Sequence, residues 1–337
     1  IKFVPEMTEI LDRTMKTRAA GASTRSGIPS TDEVLSILGA YDFERVFPVD
    51  SRTEEKSREA GLHLWYLVRF DKNTDLKEAM ERLSGLGEIS KLQINPAIQR
   101  AYNPKKKPVP VSEAALNRMR TRAAADNGFK FNDALLPHQW GYINRGAYDF
   151  ATENAPAIVG SDVNCEEAWE LCTGDPEIIV AVLDEGVMYT HEDLTANMWV
   201  NEKEQVGSDQ DNDGNGYKGD RYGYNFTDDK GYISYDDPND TGHGTHVAGI
   251  ISAVRNNGEG ISGIAGGDKA NNRGGVKIMS CQVFSGSKGC DLYQEAKAVK
   301  YAADNGAVIL QCSWGYNSGL SNPISGYTPG FTSDKDW

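Results

Sequence analysis

Hydrophobic and polar positions in the first hundred residues alternate between strand-like and helix-like spacing. Apolar residues at helical spacing predict two helices, one with Thr31 as its N-cap and one beginning at Asp75. Their apolar stripes are Val34, Leu35 and Leu38 in the first helix and Leu76, Met80 and Leu83 in the second. Short apolar runs at 1–4, 44–49, 62–70 and 89–98 predict strands. This β-α-β-β-α-β order predicts a small α+β domain of the ferredoxin-like type over residues 1–103.

The composition changes after residue 103. Residues 104–131 are rich in Pro, Lys, Arg and Ala, and they include the run from Lys105 to Pro108 and the alternating Arg118, Arg120 and Arg122. Such a composition is typical of an exposed linker, and exposed linkers are easily cut by proteases. We therefore predict a linker with processing sites at 104–131.

Buried strands and helices alternate in the remaining part of the chain, residues 132–337. Continuous apolar runs predict strands at 178–183, 276–284 and 307–311, and helical spacing predicts a helix from His243 and another over 291–304. Strands that are buried on both faces and joined by helices form parallel sheets. The second domain is therefore predicted to be α/β with a parallel sheet.

The charge balance and the cysteines exclude several classes of function. Lys and Arg number 35 against 49 Asp and Glu, and a net charge of -14 disfavours nucleic-acid partners while it suits cations. No apolar run approaches the roughly 20 residues that span a bilayer, so no membrane span is predicted. The 5 cysteines have no C-x-x-C spacing, and neither a zinc site nor a disulfide framework is indicated.

An aspartate and a histidine stand at positions suited to catalysis. Asp184 follows the apolar run 178–183, and polar sites of open α/β sheets lie at the carboxyl ends of strands. His243 lies in the first turn of its predicted helix, where the helix dipole disfavours imidazolium and a carboxylate partner favours it. Asp184 is the candidate for that partner.

The stretches VAVLDEGV, HEDL and TGHGTHVAGIISA resemble the aspartate and histidine blocks of the subtilisin family, in that family's order. NDALLPHQWGYI resembles the start of the mature enzyme, and the resemblance covers residues 131–317. It implies a serine endopeptidase in which Asp184 orients His243, which exchanges a proton with a serine nucleophile and the leaving amine. By the same resemblance, His246 is a structural neighbour of His243.

The same resemblance implies that the N-terminal domain is a propeptide, which acts as an intramolecular chaperone and inhibitor with its tail in the active-site cleft. An unrelated accessory domain is the alternative. The resemblance also implies a secreted or cell-envelope protein. A chain that begins at Ile1 fits either the removal of a leader or a sequence that was shortened at its start.

Two features depart from the family's pattern. Glu185 stands where the family usually has Ser or Thr, and a second acid pointing inward destabilises the carboxylate of Asp184, whereas one pointing outward is harmless. The family's oxyanion-hole Asn and Gly-Thr-Ser block are expected beyond Trp337. We therefore expect the 337-residue chain alone to be inactive and to need the rest of the catalytic domain.

Two segments resemble the family's substrate-binding strands. Ser313, Trp314 and Gly315 resemble the segment that pairs with an extended substrate and walls its primary pocket. Residues 285–287 resemble the segment on the substrate's other side, and they are Ser285, Gly286 and Ser287. The alternative for both is an ordinary strand-end loop, because Ser and Gly are common there.

A calcium loop is predicted over 209–220. Asp209, Asp211, Asp213 and Asp220 stand at positions 1, 3, 5 and 12 of the EF-hand loop pattern, with Gly214 at the sharp turn. Position 7 predicts the carbonyl of Asn215 as a ligand and position 9 suggests Tyr217. By resemblance, Asp193 and Asn257 belong to a second, weaker calcium site. A solvated acidic turn is the alternative for the loop.

Two further functions remain open. A catalytically dead homologue that binds extended peptides or calcium is consistent with Glu185 and with the missing serine. A metal site that uses His243 and His246 needs a further acidic or histidine ligand close by.

Overall fold

The computed structural model describes residues 1–17, 25–105, 112–115, 117–118, 128–146 and 157–315. Most of the predicted linker, including Arg120 and Arg122, lies outside the described residues, as do residues 316–337. The division of the chain into residues 1–103, 104–131 and 132–337 stays a prediction.

Two antiparallel strand pairs and four helices form the first part of the chain. In chain order the elements are β1 (Lys2–Phe3), α1 (Thr8–Thr17), α2 (Pro29–Ile37), β2 (Ala40–Arg45), α3 (Glu54–Glu59), β3 (Tyr66–Phe70), α4 (Leu76–Ser84), β4 (Ile89–Lys91) and β5 (Gln99–Arg100). β1 pairs with β4 and β2 pairs with β3, and a bridge between Lys2 and Trp65 joins the two pairs. The ferredoxin-like description of this part stays a prediction.

The first predicted helix and the strand after it begin earlier than the sequence indicated. α2 begins at Pro29 rather than after Thr31, because Pro is favoured in the first turn and the hydroxyl of Thr31 donates to Glu88 instead of capping the helix. The predicted strand 44–49 is wrong at its start and its end. Gly39, at φ 69°, turns the chain directly into β2, which ends at Arg45.

The helix predicted from Asp75 is confirmed, although its apolar face differs from the predicted stripe. The Asp75 carboxylate accepts hydrogen bonds from the N–H groups of Lys77 and Glu78, as an N-cap does. Leu76 is 50% exposed, whereas Ala79 and Leu83 are buried. The small side chain of Ala79 allows this face of α4 to approach the core.

A parallel sheet with helices on both faces forms the second part. Its elements are α5 (Cys165–Leu171), β6 (Ile179–Glu185), β7 (Gly223–Asn225), α6 (His243–Ser252), β8 (Gly267–Asp268), β9 (Arg273–Gly274), β10 (Lys277–Ser285), β11 (Lys288–Gly289), α7 (Leu292–Asp304), β12 (Ala307–Cys312) and β13 (Trp314–Gly315). β6 pairs in parallel with β10 and β12, β7 pairs in parallel with β10, and β11 forms an antiparallel hairpin with β10. The predicted parallel α/β sheet is confirmed.

β6 lies inside the sheet because both of its faces are apolar. Val180 and Val182 pack in the same cluster as Ala248 of α6, while Ala181 and Leu183 pack in the cluster that holds Tyr301 of α7. Successive side chains of a strand point to opposite faces, so each helix covers one face of β6. Asp184 and Glu185 follow directly at the carboxyl end of this buried strand.

The two parts contact each other at several places, such as Asn95 with Asp291, Arg69 with Tyr293, and the two contacts that follow. β5 pairs antiparallel with β13, with Arg100 opposite Trp314. Some distance away, Arg52 forms an ion pair with Asp50 at 2.7 Å and reaches Asp213 at 3.4 Å. The segment after β4, which includes residues 99–102 and is called the tail below, therefore runs from the first part of the chain onto the edge of the second.

The described residues contain no helix that is both long and apolar enough to cross a membrane. All 5 cysteines are free. α5 ends at Leu171, so Cys172 lies beyond the helix and is exposed, whereas Cys165 is buried.

Candidate active site

The end of β6 and the start of α6 bring Asp184 and His243 together. Gly242 has a φ of 72° and precedes the helix, so His243 is the first helical residue. A Cβ at Gly244 would lie 2.2 Å from the carbonyl oxygen of Glu185, and only glycine allows the first turn of α6 to approach β6 so closely. The Gly-His-Gly sequence thus positions the imidazole beside the strand end.

Asp184 and His243 are in direct hydrogen-bonding contact. Nδ1 of His243 lies 2.9 Å from Oδ2 and 3.0 Å from Oδ1 of Asp184, which is fully buried. The backbone N–H of Glu185 donates to Oδ1 at 2.7 Å. Burial raises the pKa of Asp184, while this N–H and the imidazole act in the opposite direction. A carboxylate on Nδ1 fixes the orientation of the ring and leaves Nε2 for chemistry.

Glu185 points inward rather than outward, and the start of α6 compensates its charge. Its side chain is buried, and Oε2 accepts hydrogen bonds from the N–H of Thr241 at 2.9 Å, the hydroxyl of Thr241 at 3.0 Å and the N–H of His243 at 3.2 Å. A carboxylate at a helix N-terminus is stabilised by the free N–H groups and the helix dipole. Of the two orientations open at the sequence level, the structure has the inward one.

Tyr102 covers His243. The two rings are stacked with their centroids 3.6 Å apart and their planes 6° apart, and the Tyr102 hydroxyl donates to Oδ1 of Asp184 at 3.3 Å. Burial and the nearby Asp184 and Glu185 charges raise the pKa of Tyr102, so its phenol remains a donor at neutral pH. The family resemblance implies a tail in the cleft, but no pattern in the sequence singles out Tyr102.

The residues before Tyr102 lie along the first predicted substrate-binding segment. Gln99 is opposite Gly315 and Arg100 opposite Trp314 in the antiparallel pair of β5 and β13. The N–H of Ala101 donates to the carbonyl of Ser313 at 2.8 Å. The tail therefore adds a strand to this edge.

The second predicted segment begins at the buried end of β10. Ser285 is buried, Ser287 is exposed, and Gly286 between them has a φ of 57°. The carbonyl of Gly286 accepts a hydrogen bond from Nη2 of Arg100 at 2.8 Å, and its N–H donates to Oδ1 of Asp240 at 2.6 Å. Gly286 therefore contacts the tail through the Arg100 side chain.

In the predicted calcium loop, an acidic side chain binds backbone N–H groups of the loop itself. Asp209 is exposed, and Asp211 accepts hydrogen bonds from the N–H groups of Gly214, Asn215 and Gly216. The Tyr217 ring is buried against Tyr224, Phe226 and Tyr301, so this side chain belongs to the core. The roles of these residues in binding calcium stay predictions.

Two loop carboxylates meet an acid that the sequence pattern did not include. One carboxylate oxygen from each of Glu204, Asp213 and Asp220 lies within 4.8 Å of the others, the only such group found among the described residues. The pKa of Asp220 is raised to about 6, mainly by burial, and the charges of Asp213 and Glu204 act in the same direction. Three oxygen donors that repel one another fit a hard cation such as calcium.

The second predicted calcium site is compact. Asn257 donates from Nδ2 to Oδ1 of Asp193 at 2.8 Å, and the N–H of Ile261 donates to Oδ2 at 3.0 Å. Burial raises the pKa of Asp193 to about 6. Asp193 and Asn257 are therefore neighbours, with both oxygens of Asp193 already accepting hydrogen bonds.

His246 lies three residues after His243 on α6 and is exposed. Within the described part of the chain, no acid, cysteine or further histidine completes a metal group with these two histidines. The geometry thus gives no support for a metal site at this pair.

Comparisons with known proteins agree with the geometry. The Subtilase family model matches residues 175–334. Subtilisin-like protease 1 of Plasmodium vivax is 33% identical over 211 residues, which are 61% of this chain and 29% of that protein. The halolysin-like extracellular serine protease Nep of Natrialba magadii is 34% identical over 153 residues, 45% of this chain and 23% of that protein.

Among solved structures, fervidolysin from Fervidobacterium pennivorans, a keratinolytic enzyme related to subtilisin, is 19% identical with a TM-score of 0.43. The match covers 85% of this chain and 34% of that one. The chain spans less than a third of the length of the two protein relatives. Residues 175–334, just under half of the chain, match the subtilase family.

Proposed function

We propose that the full-length protein is a serine endopeptidase that hydrolyses peptide bonds by acyl transfer. The single observation that carries this proposal is the contact of the Asp184 carboxylate with Nδ1 of His243 at 2.9 Å, at a strand end and a helix start. Asp184 orients the imidazole and stabilises imidazolium. His243 takes the proton of a serine hydroxyl through Nε2 and returns it to the leaving amine. As the family resemblance implies, that serine is assigned to the rest of the catalytic domain.

We further propose that residues 1–103 act as a propeptide that folds with the catalytic domain and inhibits it. The support is twofold. The tail pairs with β13 and lays Tyr102 on His243, which keeps a substrate away from the imidazole. The ion pair between Arg52 and Asp213 is a further contact of the N-terminal part with the catalytic part. Peptides and proteins are the expected substrates, and they would use the same edge after release of the tail.

Calcium is the proposed cofactor. The buried group of Glu204, Asp213 and Asp220 supports a structural role, because a bound cation cancels the repulsion among the three carboxylates. Asp193 and Asn257 are proposed as a second, weaker site. When bound, calcium supplies charge neutralisation to the loop and takes no part in the proton transfer.

We also propose that the protein is secreted or held in the cell envelope. The support is the relative from Natrialba magadii, whose name describes an extracellular serine protease. The net charge of -14 is consistent with an environment rich in cations.

Labelling with a serine-directed fluorophosphonate tests the proposed activity. We expect the full-length protein to be labelled once the tail has been released, the His243→Ala variant to remain unlabelled, and the His246→Ala variant to be labelled like the wild type. His246 is the matched control because it is exposed on the same helix. A wild-type protein that binds tail peptides but takes up no label would instead be a catalytically dead homologue.

A further inference from the structure

The side chain of Arg100 lies against the carboxyl ends of β6 and β10. Its Nε lies 3.4 Å from Oε1 of Glu185, and its Nη2 donates to the carbonyl of Gly286 at 2.8 Å. The guanidinium lies 4.6 Å from the centroid of the Phe284 ring. Only 12% of the Arg100 side chain is exposed. The arginine is therefore bound by a charge, a backbone carbonyl and an aromatic ring at once.

Two buried carboxylate oxygens are available to this guanidinium. Oε1 of Glu185 and Oδ2 of Asp240 are both buried, and neither accepts a hydrogen bond from any residue that the structure describes. Glu185 is 1% and Asp240 9% exposed. A buried carboxylate without a compensating charge is costly, and a cationic side chain between the two lowers that cost. We call Glu185, Asp240, Phe284 and Gly286 the acidic pocket.

The orientation of Glu185 is fixed by its other oxygen. Oε2 is bound by Thr241 and by the N–H of His243, so Oε1 is directed away from the helix and towards the tail. On the other side of the pocket, Oδ1 of Asp240 is fixed by the N–H of Gly286. The acidic pocket is thus held in place by hydrogen bonds that do not depend on the tail.

The backbone of the tail contributes little to sequence selection. Gln99 and Ala101, on either side of Arg100, are bound through backbone pairing with β13 and Ser313, which any extended peptide can reproduce. The acidic pocket is where a side chain is recognised by charge. Arg100 lies two residues before Tyr102, the residue whose ring covers His243.

We propose that the acidic pocket makes the enzyme select substrates with arginine at the position that Arg100 occupies. This inference rests on the proposed protease function. Arginine suits the site better than lysine, because its planar guanidinium lies on Phe284 while Nη2 donates to Gly286. Its Nε donates to the Tyr102 hydroxyl at 3.2 Å and lies 3.4 Å from Oε1 of Glu185 as an ion pair. A neutral side chain of similar length places no cation near Oε1 of Glu185 or Oδ2 of Asp240, the two oxygens that accept no hydrogen bond from the described residues.

The test compares peptides with the sequence of residues 96–104 that carry Arg, Lys or Met at the position of Arg100. For the processed full-length protein, we expect kcat/KM for the Arg peptide to exceed that for the Met peptide by about 30-fold or more. The Glu185→Gln variant keeps an oxygen for Thr241 and His243 but removes the charge, and we expect it to lower this ratio by about tenfold. Glu177→Gln, an exposed charge change in the same domain, should leave the ratio unchanged.

Failure of this inference and failure of the proposed function give different results. A protein that takes up fluorophosphonate but cleaves the Arg and Met peptides equally well overturns the selectivity and leaves the protease function intact. A protein that takes up no label overturns the protease function and the substrate selection with it.

The pocket itself is tested without catalysis by hydrogen exchange of the Ala101 N–H in the full chain. Arg100→Met and Glu185→Gln should each speed its exchange, and the double variant should exchange no faster than the faster single variant. Additive effects of the two changes would show that Arg100 and Glu185 do not act together.

Discussion

Tyr102 stacks on His243, and the Tyr102→Ala variant tests whether this ring limits access to the imidazole. The substitution removes a stacked ring pair, worth about 0.5–1.5 kcal/mol. It also removes a hydrogen bond to a carboxylate, worth about 1.5–3 kcal/mol. The hydroxyl lies 3.3 Å from Asp184, at the long end for such a bond, so the lower half of that range applies. We expect docking of the tail to weaken by about 2–4 kcal/mol, or about 30- to 800-fold.

Acylation of His243 by diethyl pyrocarbonate measures this docking. The neighbouring His246 is exposed and lies on the same peptide after digestion, so it serves as an internal standard in mass spectrometry. We expect the ratio of modified His243 to modified His246 to be low in the wild type and to rise strongly in Tyr102→Ala. Tyr102→Phe keeps the stacking and should give an intermediate ratio.

Tyr41→Ala is the matched control, because Tyr41 is a tyrosine of the N-terminal part that is 57% exposed. It should leave the modification ratio at the wild-type value. If Tyr102→Ala has the same ratio as the wild type, Tyr102 does not shield His243, and the inhibitory role of the tail loses its main support.

Three further predictions concern single carboxylates. In the full-length enzyme, Asp184→Asn should lower kcat by about 10⁴-fold without unfolding the protein, as measured by steady-state hydrolysis and circular dichroism. Asp240 has its pKa raised by burial to about 6, so its contribution to stability is complete below about pH 3.8 and is lost as the pH rises through 6. The free energy of unfolding of Asp240→Asn, measured in urea, should therefore equal that of the wild type near pH 4 and exceed it by up to about 3 kcal/mol at pH 7. Equal free energies of the two proteins at both pH values would contradict the raised pKa of Asp240. Calcium at about 100 times its Kd should stabilise the wild type by about 2.7 kcal/mol. In thermal unfolding, Asp220→Asn should abolish this gain and the exposed Asp209→Asn should retain most of it.

The sheet and the position of the catalytic pair were predictable from the sequence because local patterns determine them. The continuous apolar run before Asp184 is short and rich in Ile and Val, which favours a strand buried on both faces. The helix predicted over 291–304 has a capping box, in which Asp291 and Gln294 bind each other's backbone N–H groups. Both signals lie within a few residues of the elements they specify.

Features that depend on distant partners were not predictable. α3 is polar almost throughout, with only Ser57 buried, and it therefore has no apolar period to detect. Glu204 joins the carboxylate group through its position in space, five residues before the predicted loop begins. Tyr102 lies in an extended tail whose conformation depends on β13, so its own sequence could not place its ring on His243.

Glu185 shows why the departure from the family's Ser or Thr at this position is consequential. One carboxylate must reach Thr241 and the N–H of His243 with Oε2 while Oε1 faces Arg100. The hydroxyl of Ser or Thr is bonded to Cβ, so it is too short to reach both the start of α6 and Arg100. It also carries no charge to pair with the guanidinium. Glu185 therefore both binds the first turn of α6 and faces Arg100. Glutamine separates the two roles because it keeps the oxygen and loses the charge, whereas serine at position 185 removes both at once.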